Sequence, residues 1–212
     1  MNIVEIFESI QGEGPDTGKR TLFIRTARCN LRCIWCDTKY SWNNGVTYHV
    51  DELVKIIEKY KASDISITGG EPLLQKSELV KLLKLIDKKK DIKTVLIETN
   101  GAIDIRPYLV FRKIKISMDV KCPSSGMAEF NLYDNINLIR KQDVVKFVIK
   151  DGVDYNFAKK ILYERMIKGE VIFQPVYGAD LRTIAENIIK DKLNVRFMVQ
   201  MHKYIWGDEK GH

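Results

Sequence analysis

Short runs rich in Ile, Val, Phe and Thr recur near 21–27, 64–68, 93–98, 114–119, 143–149, 170–173 and 195–200. Helix-period stretches sit between several of them, near 50–60, 77–90, 154–167 and 180–191. In the second of these, Leu79, Leu82, Leu83 and Ile86 fall at i, i+3, i+4 and i+7, a single apolar stripe. Asp51, Ser77, Asp154 and Asp180 stand where N-caps belong. Such alternation predicts a mostly parallel sheet joined by crossovers, closed as a barrel or left open. Region 100–115 and the segment around residue 33 read poorly as helix, which argues for an α/β, incomplete βα barrel with reduced helix content. In either form, ligands collect at the C-terminal ends of the strands.

Nothing divides the chain. No repeat, low-complexity tract or Ser/Pro/Gly linker interrupts the 212 residues, a length that suits one domain, here 1–212. No apolar run approaches the ~20 residues of a membrane span. The opening Met-Asn-Ile-Val-Glu-Ile-Phe-Glu carries acids where a signal peptide is apolar, so a soluble cytoplasmic protein is expected, with no membrane partner. The net charge of +7 is spread along the chain, and its densest run, Lys88-Lys89-Lys90, sits where a helix should end. Cations suit that position, so the excess does not by itself imply a nucleic-acid partner.

Chemistry concentrates in Cys29-Asn-Leu-Arg-Cys33-Ile-Trp-Cys36, directly after the run 21–27. Three thiolates on one loop can hold three irons of a cluster, or three positions of one tetrahedral metal. The missing fourth ligand is informative, because His49 and Cys122 lie far off in sequence. A structural zinc site wants that ligand nearby, whereas a cluster with one iron left open is built to bind something else. The same spacing also describes one face of a helix lined with buried thiols. The polar neighbours Arg28, Asn30, Arg32 and Asp37 speak against that reading.

A CxxxCxxC loop after an early strand of an α/β protein resembles the radical S-adenosylmethionine superfamily. That resemblance implies a 4Fe–4S cluster on Cys29, Cys33 and Cys36, with S-adenosylmethionine chelated at the fourth iron. A second motif, Ile65-Ser-Ile-Thr68-Gly69-Gly70-Glu71-Pro72, puts a Gly-Gly turn at a strand end. Glycines there let the backbone approach a ligand, and Glu71 is expected to accept from the cofactor ammonium. A third, Ile97-Glu98-Thr99-Asn100-Gly101, ends the next strand and is a weaker signal. The segment Gly14-Pro-Asp-Thr-Gly18-Lys19-Arg20 is no P-loop, since it has the wrong glycine spacing and lacks Ser/Thr after the lysine.

Within the superfamily, Glu5-Ile-Phe7-Glu-Ser-Ile10-Gln11-Gly12-Glu13-Gly14 is similar to the opening of the 7-carboxy-7-deazaguanine synthase family. Pro123-Ser-Ser-Gly126, Gln174-Pro175 and Gln200-Met-His202-Lys203 extend the likeness along the chain. It implies a lyase that converts 6-carboxy-5,6,7,8-tetrahydropterin to 7-carboxy-7-deazaguanine with loss of ammonia, on the route to queuosine or archaeosine. By the same likeness, Ile10, Gln11, Gly12, Glu13, Thr68 and His202 face the pterin, and Arg25 takes its carboxylate. Trp35, Asp37, Gly70, Ser117 and Gln174 are expected at the S-adenosylmethionine, and Thr38 at a Mg²⁺ ion. Thr38 also fits a plain N-cap. A flavodoxin- or ferredoxin-like reductant and a homodimer are implied as partners. Two departures stand out. The family's Ser-Pro-Lys reads here as Ser117-Met-Asp119-Val-Lys121, leaving open which side chain replaces the lysine, and the tail after His202 differs, leaving closure of the pocket open. A glycyl-radical activating enzyme shares the cysteine loop and the Gly-Gly turn, but not the Gln-Gly-Glu-Gly opening. A zinc-stabilised RNA-binding module would need aromatic stacking platforms that the sequence does not offer.

Overall fold

The structure is a computed structural model that describes residues 1–43 and 45–211. Its elements in chain order are β1 (Asn2–Ile10), β2 (Arg20–Thr26), β3 (Val46–Thr47), α1 (Val50–Tyr60), β4 (Asp64–Gly69), α2 (Lys76–Ile86), β5 (Thr94–Thr99), β6 (Ile114–Val120), α3 (Asp134–Leu138), β7 (Val144–Ile149), α4 (Gly152–Glu164), β8 (Glu170–Pro175), α5 (Leu181–Lys190), β9 (Arg196–Phe197) and α6 (Met201–Trp206). All nine strands form one sheet in the order β3-β1-β2-β4-β5-β6-β7-β8-β9. From β2 onward neighbours run parallel, and only β1 pairs antiparallel, with β2 and β3. The sheet ends in the two-residue strands β3 and β9, which do not pair with each other, so the barrel is incomplete.

Alternation along each strand sorts residues between two faces. Leu22 and Ile24 of β2, Ile65 and Ile67 of β4, and Val145, Phe147 and Ile149 of β7 point to the helix-covered face and are fully or almost fully buried. α2 answers them with Leu79, Leu82, Leu83 and Ile86, the stripe expected from sequence, each at most 1% exposed. α1 adds Leu53 and Ile57, and α5 adds Ile184 and Ile188. The opposite, concave face carries Phe23, Arg25, Thr68, Glu98, Asp119, Lys146 and Gln174.

The crossover from β5 to β6 has no α-helix, as its sequence suggested. Asn135 of α3 takes over part of a helix's role there. Its side chain accepts from the Ile105 amide at 3.2 Å and donates to the Gly101 and Ile103 carbonyls at 3.1 and 2.8 Å.

Three of the four expected N-caps are displaced. α1 is capped by His49 in a reciprocal box with Glu52, and α2 follows Gln75, so neither Asp51 nor Ser77 serves. Asp151, not Asp154, caps α4 by accepting from Val153 N and Asp154 N. Asp154 is fully buried and accepts from the amides of Ser124 and Lys150 at 2.8 and 2.9 Å. Only Asp180 caps as expected, over α5. The expected strand 195–200 shortens to β9, because Gln200 already stands at the N-cap of α6.

Candidate active site

At the C-terminal ends of the parallel strands lies a cavity of about 460 Å³. The chain leaves β2 and runs at once into the cysteine loop, and Cys29, Cys33 and Cys36 all line this cavity. The loop is seated on the Gly-Gly turn. Gly70 N donates to Thr26 O at 3.0 Å and Glu71 N to Arg28 O at 2.8 Å. A Cβ on Gly70 would lie 2.0 Å from the Arg28 carbonyl oxygen and 3.1 Å from Cys29 N, so only glycine permits this approach. Asn100 Nδ2, at the end of β5, binds the Asn30 side chain at 2.9 Å and lies 3.7 Å from Cys29 Sγ.

Burial pushes the Cys33 and Cys36 thiols up, with Lys121 opposing it at Cys33. Ligation by a metal supplies the attraction that such thiols need to ionise. Three thiols on one loop facing one cavity fit a cluster that they would hold through three irons, leaving the fourth for another ligand. Among the described residues no three His, Cys, Asp or Glu side chains converge at the spacing of a single ion.

Opposite the cysteines, the loop after β1 brings Gln11, Gly12 and Glu13 to the cavity. Gln11 donates to Glu98 Oε1 at 3.0 Å; Glu98 also accepts from Ser66 at 2.8 Å and, on Oε2, from Thr68 at 3.0 Å. Glu13 pairs with Lys146 and accepts from Gln200 Nε2 at 2.9 Å. Burial alone would raise its pKa, but Lys146 and His202, with the Lys146 and Gln200 hydrogen bonds, outweigh that and hold it well below the usual carboxylate range. A Cβ on Gly12 would meet His202 Nδ1 at 2.4 Å, so α6 is packed directly on this loop, with Met201 N donating to Gly12 O at 3.0 Å.

Arg25 reaches the same cavity from β2. Its Nε donates to Glu5 Oε1 at 2.6 Å, Tyr40 donates to the same oxygen at 2.7 Å, and the guanidinium lies over the Phe7 ring. Glu5 meets Arg25 because the paired strand β1 sets the two residues directly opposite each other. Thr38 stands at the N-cap of the 3₁₀ turn Lys39–Trp42 but makes no capping bond; its hydroxyl donates to Asp37 Oδ1 at 2.6 Å. Asp37 Oδ2 in turn lies 4.0 Å from His202 Nε2.

A single cavity thus joins a three-thiol loop to an arginine and a charged loop from the chain's opening. The Radical SAM superfamily profile matches residues 23–147. The chain is 46% identical, over the full length of both, to the 7-carboxy-7-deazaguanine synthase of Thermoplasma acidophilum. It is 42% identical to the enzyme of that name from Methanospirillum hungatei, over 97% of this chain and 85% of that one. This chain belongs to the 7-carboxy-7-deazaguanine synthase family. A crystal structure of QueE from Escherichia coli shares the fold, with a TM-score of 0.76 and 24% identity over 95% of this chain and 94% of that one.

Against the family pattern, the structure brings fifteen of the seventeen expected site residues to the cavity and leaves two off it. Glu71, expected at the cofactor, does not line the cavity: it is fully buried, with Oε1 accepting from Leu73 N and Thr99 Oγ1 and Oε2 from Asn100 N. Ser117 is 4% exposed and sits one residue pair deeper on β6 than Asp119. Where the family has Ser-Pro-Lys, both Asp119 and Lys121 line the cavity, joined at 2.6 Å, and Lys121 acts electrostatically on Cys33. The tail 207–211 lies along the cavity rim, with the Lys210 ammonium 4.6 Å from the Tyr40 ring centroid, so these residues do border the pocket.

Sequence reasoning did not single out Glu98 and Lys146 as site residues. The signal for both was a lone charged side chain within an otherwise uncharged strand, Thr94–Thr99 and Val144–Ile149.

Proposed function

We propose that this chain converts 6-carboxy-5,6,7,8-tetrahydropterin to 7-carboxy-7-deazaguanine, a redox-neutral ring contraction that expels ammonia. One observation carries the reading above the rest: Cys29, Cys33 and Cys36 share a cavity with Arg25, Gln11 and Glu13. A radical source and a carboxylated, hydrogen-bonding heterocycle are what those two ends would bind.

Cys29, Cys33 and Cys36 would hold a 4Fe–4S cluster, which with S-adenosylmethionine supplies, on reduction, a carbon radical able to abstract hydrogen. The protein's part is binding, orientation and exclusion of water. For the cofactor, Trp35, Asp37 and Gly70 stand beside the cysteines, and Gln174 is 1% exposed with an Oε1 that has no hydrogen-bond partner, an acceptor free for a ligand. For the pterin, Arg25 would take the carboxylate with the guanidinium nitrogens that Glu5 leaves free, since Glu5 binds at Nε. Ile10, Gln11, Gly12, Glu13, Thr68 and His202 would close round the ring. Thr38 would bind Mg²⁺, a role consistent with a hydroxyl that is not engaged in capping. The exposed cysteine loop, with Ile34 64% accessible, offers a face for a flavodoxin- or ferredoxin-like donor, and a second copy of the chain completes the proposed assembly.

The test is product analysis. Anaerobic, cluster-reconstituted protein with S-adenosylmethionine, dithionite, Mg²⁺ and the carboxypterin should yield 7-carboxy-7-deazaguanine by mass spectrometry. Deoxyadenosine without the deazapurine would replace the substrate and favour an activating enzyme.

A further inference from the structure

Lys146 is the one charged residue in Val144-Val-Lys-Phe-Val-Ile149, and an unpaired ammonium there would be costly. Its side chain is 8% exposed and turns into the cavity rather than out to bulk solvent. The ammonium pairs with Glu13 Oε2 and lies 3.4 Å from Asp119 Oδ1. Asp119 gives its other oxygen to Lys121 at 2.6 Å, and Lys121 faces Cys33. An alternating chain, Glu13–Lys146–Asp119–Lys121, therefore crosses the cavity from the N-terminal loop to the cysteine loop.

We infer that Lys146 is a positioning residue: its bond to Glu13 fixes that carboxylate in place as the acceptor for the N–H-rich amino-pyrimidinone edge of the substrate. This rests on the pterin reading above. Two features of the geometry carry it. Glu13 comes from a loop, and loops need a rigid strut to hold one side chain in a productive pose; β7, an interior strand paired on both sides by β6 and β8, is such a strut. Glu13 also has its second oxygen occupied by Gln200 of the α6 N-cap, so Lys146 and α6 grip the carboxylate from opposite elements.

The charged and titratable groups around Glu13 and its Lys146 partner are Asp119 on β6, Lys121 just after β6, Glu98 on β5 and His202 on α6. Of the cations, only Lys146 bonds Glu13 directly. Without Lys146, burial and Asp119 would both favour the protonated acid, and a protonated carboxyl is a poorer acceptor for two N–H groups.

The experiment measures binding without turnover. Cluster-loaded protein with S-adenosylmethionine and no reductant is titrated with 6-carboxytetrahydropterin between about pH 6 and pH 8.5. The wild-type affinity should be flat across that range. Lys146→Met should bind at least about tenfold more weakly at the acidic end, as losing one partner of a buried charge pair implies, and recover part of the loss as pH rises. Glu13→Gln should be weak and flat, and the double variant Lys146→Met/Glu13→Gln no weaker than Glu13→Gln alone.

Wild-type affinity in Lys146→Met, or losses that multiply in the double variant, would overturn the Lys146 role. Should Lys146→Met fail to load its cluster, recovery of loading in the double variant supports the assignment, because Asp119 keeps Lys121 and no unpaired acid remains at position 13. Equal failure of both overturns it. A wild-type protein that does not bind the pterin would overturn the substrate reading instead.

Discussion

Glu71 accepts the Asn100 main-chain amide at 2.7 Å, tying the end of β4 to the end of β5 from a carboxyl with no exposed surface. The Leu73 amide and the Thr99 hydroxyl fill its other oxygen at 3.0 and 2.8 Å. Both strand ends form the cavity wall beside the cysteines, through Gly70 and Asn100. Glu71→Ala strands three buried donors at once. The expected cost is about 3 kcal/mol or more, a fall in the thermal midpoint of roughly 6–12 °C. Differential scanning calorimetry of the two proteins checks it, and an unchanged midpoint would refute the bracing role.

The same carboxyl sets a pH dependence. Burial pushes Glu71 from its ordinary 4.5 up to about 7, with the three donors limiting the rise. Between those values the folded chain holds a proton that the unfolded chain has released, so stability falls as pH rises. The contribution is fully present below about 4.5 and lost through about 7, on the order of 3 kcal/mol. Glu71→Gln removes the titration, so its deficit against wild type should be larger at pH 5 than at pH 8. Denaturant midpoints at the two pH values measure this; a constant deficit would count against it.

Periodicity made the helix-covered face of the sheet legible. The α2 stripe and the runs that became β2 and β4–β8 alternate or cluster their apolar residues against one core. β1 escaped notice as a strand because all but one of its residues are half-buried, so neither face shows a clean alternation. The caps shifted for a local reason: Asp154 fits the N-cap pattern, but its carboxylate is spent on the Ser124 and Lys150 amides while Asp151 caps α4. At the site, motifs gave the residues that stand next to one another in sequence. Lys146 and Glu98 belong to networks assembled from the N-terminal loop and two strands each, β6 and β7 for Lys146 and β4 and β5 for Glu98, and no local spacing encodes such partners.

Arg25 is held by Glu5 at Nε, with Tyr40 on the same Glu5 oxygen. Arg25→Ala should weaken carboxypterin binding by at least about tenfold while leaving S-adenosylmethionine affinity unchanged, since a charge-assisted pair is lost at one ligand only. Glu5→Gln keeps an acceptor for Nε and should cost less. Equilibrium titration of each variant with each ligand separates the outcomes, and equal loss of both ligands would remove Arg25 from the carboxylate site.

Gly70→Ala tests whether the turn after β4 holds the cysteine loop in shape. The new methyl would lie 2.0 Å from Arg28 O and 2.5 Å from its carbonyl carbon, and a main-chain neighbour cannot rotate aside as a side chain would. The backbone of Arg28–Cys29 must therefore shift, at a cost of about 1–3 kcal/mol. Cys29 is the first of the three thiols, so the shift moves one corner of the proposed cluster site relative to Cys33 and Cys36. Reconstituted Gly70→Ala should show reduced iron content and reduced absorption near 400 nm, with the far-UV dichroism of a folded chain. Cys33→Ala, which deletes a ligand without touching the backbone, should lose that absorption altogether. Full loading of Gly70→Ala would mean that the loop tolerates the displacement and that the Gly-Gly turn serves the cofactor, not the cysteines.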